Sequence, residues 1–247
     1  QVLRTEGELL MYRILFITVC LLPVSVQAQP HTIIQVCGNH YVSPEDFAAD
    51  LKAQNNSVTR EEIDTEYHNF LESIRSEQRG QMMPLNDLIK RHQLKAVYVE
   101  GVTEKNVKEF LRLVHSVKNG AAIQRVSSDF VELGAASRLI VSGELQTLLP
   151  AEESAAYEAS NPANSGGPLE FAKKIEFDKN ANERREDAIV RNLLKAEGTA
   201  VILLGKDHNL RDNLNRLGAS CKYIKTGRVD VKQSSSVFKR RQDLLVK

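Results

Sequence analysis

Apolar runs and amphipathic stretches alternate along most of this chain. The segment "TIIQVCG" (32–38) is a β-branched run closed by glycine, which predicts a buried strand. In "SPEDFAADLKAQ", Ser43 stands as N-cap, Pro44 at the first helical position, and Glu45 and Asp46 in the first turn, so a helix follows. "TREEIDTEYHNFLESIRSEQRG" opens on a Thr59–Glu62 capping box. It repeats Ile63, Tyr67, Phe70, Leu71 and Ile74 along one face, which predicts an amphipathic helix closed by Gly80. Pro84 then opens another helix, "PLNDLIKRHQ".

The strand-to-glycine pattern returns in "KAVYVEG" (95–101), followed by the helical "TEKNVKEFLRLVHSV". In the middle, "SRLIVSGELQTLLPAEE" contains an apolar run, Leu139–Val141, and then a stretch with helical character. Residues 157–180 are rich in turn formers and read as a long loop, a lid or an unordered excursion. From Asn182, "NERREDAIVRNLLKAEG" is a helix ended by Gly198. It feeds the strand "TAVILLG", a helix over "LRDNLNRLG" and a last strand, "CKYIKTG"; from about residue 229 the chain is a polar tail.

Strands alternating with helices predict an α/β fold: a mixed, largely parallel central sheet flanked by helices, in a single domain over 29–228. In such sheets ligands bind beyond the carboxyl ends of the strands. Three strand ends carry suitable chemistry. The first delivers His40, the second Glu100, and "VILLG" delivers Asp207 and His208. Two imidazoles and a carboxylate suit a divalent metal, and equally a metal-free acid/base site. Asp207 reads best as the N-cap of the helix after it.

Arg184 and Arg185 stand in the first turn of their helix, against the preference set by the helix dipole. That placement suits the binding of a carboxylate or an anionic intermediate, or ion pairs with Glu183, Glu186 or Asp187. His31, His68, His92 and His115 carry no such pattern. No G-x-S-x-G elbow and no Gly-rich phosphate loop is present, which removes the main support for a classical serine hydrolase or a nucleotide site.

Composition adds little to this and the N-terminus adds more. The 247 residues are 42% hydrophobic and 26% charged with a net charge of +1, so nothing global points to nucleic acid. The short basic run Lys239–Arg241 reads as part of a solvated tail. From Met11, one arginine precedes an apolar run from Ile14 to Val26, with small residues before a cleavage point after Ala28. This is the pattern of a secretory signal peptide and predicts a secreted or periplasmic protein with no stable membrane span after cleavage. Residues 1–10 precede a plausible start methionine. Cys37 and Cys221 would remain after cleavage, as a bridge or as two unpaired thiols, and the absence of CxxC excludes zinc-finger chemistry.

Taken in order, the strand ending near His40, "VYVEG", the arginine-acid helix start and "VILLGKDH" resemble the TraB/TIKI, ChaN and erythromycin-esterase-like superfamily over roughly residues 32–225. Gly205 to His208 matches its C-terminal Gly-x-x-His. Glu100 matches its mid-chain glutamate, and Arg185 its arginine, with Arg184 one residue out of step. The N-terminal motif departs: Cys37-Gly38-Asn39-His40 has cysteine in the glycine position and Gly38 where the esterase branch carries a glutamate. The resemblance implies an exported hydrolase-like protein cleaving a peptide or ester bond of a small-molecule or peptide substrate. His40, Glu100 and His208 would hold a divalent metal (Mn, Co or Zn) or act as acid/base groups, and Arg185 would hold an anionic group. The ChaN-like branch implies the alternative of a non-catalytic module binding haem or another small ligand.

Overall fold

The computed structural model describes residues 32–38, 44–119, 134–160 and 178–226. Its interior strand β1 (Thr32–Gly38) is buried along nearly its whole length because alternate residues enter different cores. Ile34 and Val36 pack into one apolar cluster and Ile33 into another on the opposite face. Around it lie β2 (Ala96–Thr103), β3 (Thr147–Glu152), β4 (Thr199–Gly205) and β5 (Lys222–Thr226), in the order β3-β2-β4-β1-β5. Every described pairing is parallel, so this is an α/β fold with a five-stranded parallel sheet.

Among the described residues seven helices flank it: α1 (Pro44–Gln54), α2 (Arg60–His92), α3 (Val107–Lys118), α4 (Gly134–Ser142), α5 (Ser154–Ser160), α6 (Lys179–Leu193) and α7 (Arg211–Arg216). Leu85 and Ile89 of α2, Val114 and Val117 of α3, and Leu139 and Ile140 of α4 cover one face. Ile189 and Leu193 of α6 and Leu214 of α7 cover the other. The chain therefore moves toward β3 across the first face and returns toward β5 across the second. The connections leaving β2 and β4 diverge, so the carboxyl ends of these two neighbours flank the crevice where α/β sheets bind ligands.

Several elements differ from the sequence reading. Gly80 and Pro84 do not divide a helix pair: α2 runs unbroken through both, and ends at Gln93 with φ 52° in the left-handed region. A proline ring crowds the carbonyl four residues earlier, and here that residue is Gly80, whose backbone adjusts at least cost. Tertiary contacts also hold the middle of the helix, where Gln81 Nε2 donates to the Cys37 carbonyl at 2.8 Å. The thinner cluster of Phe47, Phe70 and Ile74 joins the N-terminal half of α2 to α1. The Leu139–Val141 run is helical, with Ala135, Ala136, Leu139 and Ile140 buried at helical spacing, and the strand comes after it. Pro150 masked that strand in the sequence; it is tolerated because β3 lies at the sheet edge.

Two helix starts also move. α6 begins at Lys179, capped by Asp178, which accepts from the Asn180 and Ala181 amides, so Arg184 and Arg185 stand beyond the first turn. α7 begins at Arg211 with Leu210 at its cap, and exposed Asp207 caps nothing. The cysteines are free thiols. Thr32 is level with Lys222, so Cys221 lies near one end of β1 and Cys37 near the other. Six residues of strand put about 20 Å between them, far beyond the reach of a disulfide.

The proposed signal segment, the tail from 229, His31, His40 and the Ser43 cap lie outside the described residues, as do 161–177 of the predicted loop. No described helix is long and apolar enough to cross a membrane.

The unbroken α2 makes a test on either side of Pro84. Leu85 is fully buried and Met83 is 74% exposed. Leu85→Ala is expected to cost about 3 kcal/mol in urea unfolding, and Met83→Ala less than about 0.5 kcal/mol. Equal costs would refute this placement of the helix.

Candidate functional site

Glu100 occupies the irregular end of β2, where the pairing register with β3 shifts between Val99 and Thr103. Gly101 takes φ 76°, a left-handed conformation open to glycine. Such bulges re-aim side chains, and Glu100 turns toward β4. Its Oε2 accepts from the Gly205 amide at 2.6 Å. Its Oε1 accepts from Arg185 Nη2 at 2.8 Å and lies 3.2 Å from His208 Nε2.

Arg185 reaches this point from α6, with its side chain only 13% exposed. Its fork also grips Glu152 at the end of β3, with Nη2 to Oε1 at 2.5 Å and Nε to Oε2 at 3.1 Å. Glu152 is completely buried, and accepts from the Gly101 amide as well, at 3.4 Å. The ring of Tyr157 on α5 lies under the guanidinium, 5.2 Å from ring centre to Cζ, a cation–π contact.

His208 stands three residues beyond Gly205, and its own amide donates to the Gly205 carbonyl at 3.2 Å, closing the turn. The imidazole lies between two carboxylates: Nδ1 is 2.7 Å from Glu186 Oε1 and Nε2 faces Glu100. Glu186 is the residue after Arg185, and Asn182 Nδ2 donates to its Oε1 at 3.4 Å. Burial alone would depress the His208 pKa, but hydrogen bonds to Glu100 and Glu186 outweigh it and raise the pKa to about 9. Burial likewise works against the Arg185 charge, and pairing with Glu152 and Glu100 overcomes it, so its pKa rises further. At neutral pH the edge holds an imidazolium and a guanidinium against three carboxyl groups.

The structure thus brings Glu100, Arg185 and His208 together as the sequence reading placed them. It leaves Arg184 on the surface, 3.9 Å from Asp178, and exposed Asp207 outside the network. His92 lies at the opposite end of the sheet, near Thr199. Sequence reasoning missed Glu152 and gave Glu186 only as a surface ion-pair partner. The signal for Glu152 was the strand-end acid repeated from Glu100, hidden by Pro150. The signal for Glu186 was its place beside Arg185.

Among the described residues no three His, Cys, Asp or Glu are grouped to hold a metal ion. His40, the other ligand of the expected set, lies outside the described residues. Glu100 Oε1 already carries the guanidinium, and a divalent ion there would face that positive charge at close range. Both His208 nitrogens are engaged, so haem iron would also have to displace Glu100 from Nε2. Comparisons with protein-family models, with curated proteins and with solved structures find no match to this chain.

The raised His208 pKa has a defined consequence for stability. With the folded pKa near 9 and an unfolded value of 6.5, protonated His208 contributes fully below pH 6.5. The contribution, about 3 kcal/mol, is lost as pH rises through 9. Urea unfolding is expected to show the wild type losing more stability between pH 6 and 9.5 than His208→Gln. Equal losses, or a His208 NMR titration near pH 6.5, would refute the doubly paired imidazolium.

Proposed function

We propose that the crevice between β2 and β4 is a hydrolytic acid/base site acting on an ester or peptide carbonyl. One observation carries this reading: the Glu100 carboxylate lies between the His208 imidazole and the Arg185 guanidinium, at 3.2 and 2.8 Å, at the carboxyl edge of the sheet. These are a base, an acid and a cation within reach of one reacting centre. The resemblance of Glu100, Arg185 and Gly205–His208 to the TraB/TIKI, ChaN and erythromycin-esterase-like superfamily supports the same reading. The signal-like segment before Gln29 would place the activity in a secreted or periplasmic compartment.

In this mechanism Glu100 exchanges its imidazolium partner for a water molecule when substrate enters. Water attacks the carbonyl carbon and its proton passes to Glu100. Arg185 stabilises the charge that builds on the carbonyl oxygen. The bond to the leaving group then breaks as His208 gives that group its Nε2 proton, with Glu186 holding the ring through Nδ1. Glu100 finally returns its proton to His208 across their direct contact, which restores both groups. His208 is suited to the acid role because its raised pKa keeps the proton in place at neutral pH.

The test is hydrolysis of a panel of activated esters and peptides by the purified chain from Gln29 onward, with elemental analysis of the same sample. Glu100→Gln and His208→Gln are each expected to lower kcat by roughly 10²–10⁴-fold, with the circular dichroism of the wild type. Turnover should fall as pH rises through about 9 and His208 loses its proton. Full turnover by His208→Gln would overturn the assignment. Stoichiometric metal that leaves with His208→Gln would return the site to the metal-dependent form of hydrolysis.

A further inference from the structure

The run "TIIQVCG" places a glutamine in the middle of a buried interior strand, and Gln35 is fully inaccessible. An amide buried without partners costs about 1–3 kcal/mol, and valine or leucine would fill a central strand at no such cost. The partners of Gln35 explain its presence. Its Nε2 donates to the Gly205 carbonyl at 3.0 Å and to the His208 carbonyl at 3.3 Å. Its Oε1 accepts from the Tyr223 hydroxyl.

Two residues of β5 complete the arrangement. Gln35 is level with Lys225, and Ile33 with Tyr223, so Tyr223, Lys225 and Gln35 project from the same side of the sheet. Lys225 Nζ donates to the His208 carbonyl at 2.7 Å and to the Lys206 carbonyl at 2.5 Å. The Tyr223 hydroxyl accepts from the Leu210 amide at 3.3 Å, which fixes the chain just beyond His208. The segment 205–210 is therefore tied at both ends and in its middle, through the carbonyls of Gly205, Lys206 and His208 and the amide of Leu210. All three ties come from strands that carry none of the site's charged groups.

We infer that Gln35, with Tyr223 and Lys225, is a positioning residue that holds the His208 backbone so that the imidazole spans Glu100 and Glu186. The two ring contacts, at 2.7 and 3.2 Å on opposite nitrogens, demand a fixed ring position, and a displacement of 1 Å would break at least one. A merely structural glutamine would only need satisfied hydrogen bonds somewhere. Here, beside a long contact to Cys37 Sγ at 3.8 Å, its donor contacts end on the two residues that bracket the turn. The inference rests on the proposed acid role of His208 for its effect on turnover, but not for its effect on the ring.

The test is an NMR titration of the His208 imidazole in Gln35→Met, Tyr223→Phe and Lys225→Met. Glu100, Glu186, Arg185 and Lys225 are the charged groups around it, and only the last is altered. Gln35→Met is expected to lower the His208 pKa by roughly one unit or more, about a tenfold loss of proton affinity, and Lys225→Met to lower it against the rise that loss of the Lys225 charge alone would cause. Lys225→Arg, which keeps donors near both carbonyls, should restore it. On a hydrolysed ester the same variants should lower kcat at least about fivefold, with KM little changed. If Gln35→Met does not fold, the exposed Lys225 and the edge-strand Tyr223 still decide the matter. A His208 pKa unchanged in all three variants would overturn the inference. A pKa that falls in a protein with no turnover on any substrate would uphold the positioning and refute the hydrolytic reading instead.

Discussion

Everything at the carboxyl edge depends on the pairing of Arg185 with Glu152 and Glu100. A fully buried carboxylate such as Glu152 is tolerable only with a cation fixed beside it. Arg185 meets that need with two parallel donors, and the same guanidinium extends to Glu100 on the neighbouring strand. One side chain from α6 thereby joins the ends of β3 and β2. Because Glu100 also binds the Gly205 amide and faces His208, the constraint passes on to β4. Such networks contribute little net stability against an apolar alternative, but losing one member strands the rest. That cost favours a single arrangement of the edge.

The fold makes this arrangement available through direction of travel. Helices α2 to α4 carry the chain across one face and α5 to α7 bring it back across the other, so β2 and β4 become neighbours although residues 104–198 separate them. The bulge at Glu100 and the left-handed Gly101 then turn a side chain that a regular strand would commit to one face. Regular alternation fills the two cores, and the irregular end of β2 supplies the chemistry.

The imidazole is held from two sides by different physics. On one side, charge sets its protonation, because two carboxylates outweigh the burial that would neutralise it. On the other, the Gln35 amide on β1 and the Lys225 ammonium on β5 set the position of its backbone. An imidazolium between two acids needs both, since a charged ring free to move would settle against one carboxylate and leave the other unpaired.

The sequence by itself determined the alternation of strands and helices, and with it the α/β class, because burial on two faces writes a period that any chain segment carries locally. It also marked Glu100 and His208, which stand at strand ends, and Arg185, although from a helix start that lies earlier in the chain, at Lys179. It misjudged Gly80 and Pro84, where packing outweighed the local signals for breaking a helix, and it read helical character after the Leu139–Val141 run, where the strand β3 lies. Only the tertiary structure decided that Glu152 and Glu186 complete the network, that Cys37 and Cys221 stand at opposite ends of the sheet, and that buried Gln35 serves His208. These facts depend on strand order and register, which follow from contacts between residues as much as 188 positions apart, and no local pattern encodes such distances.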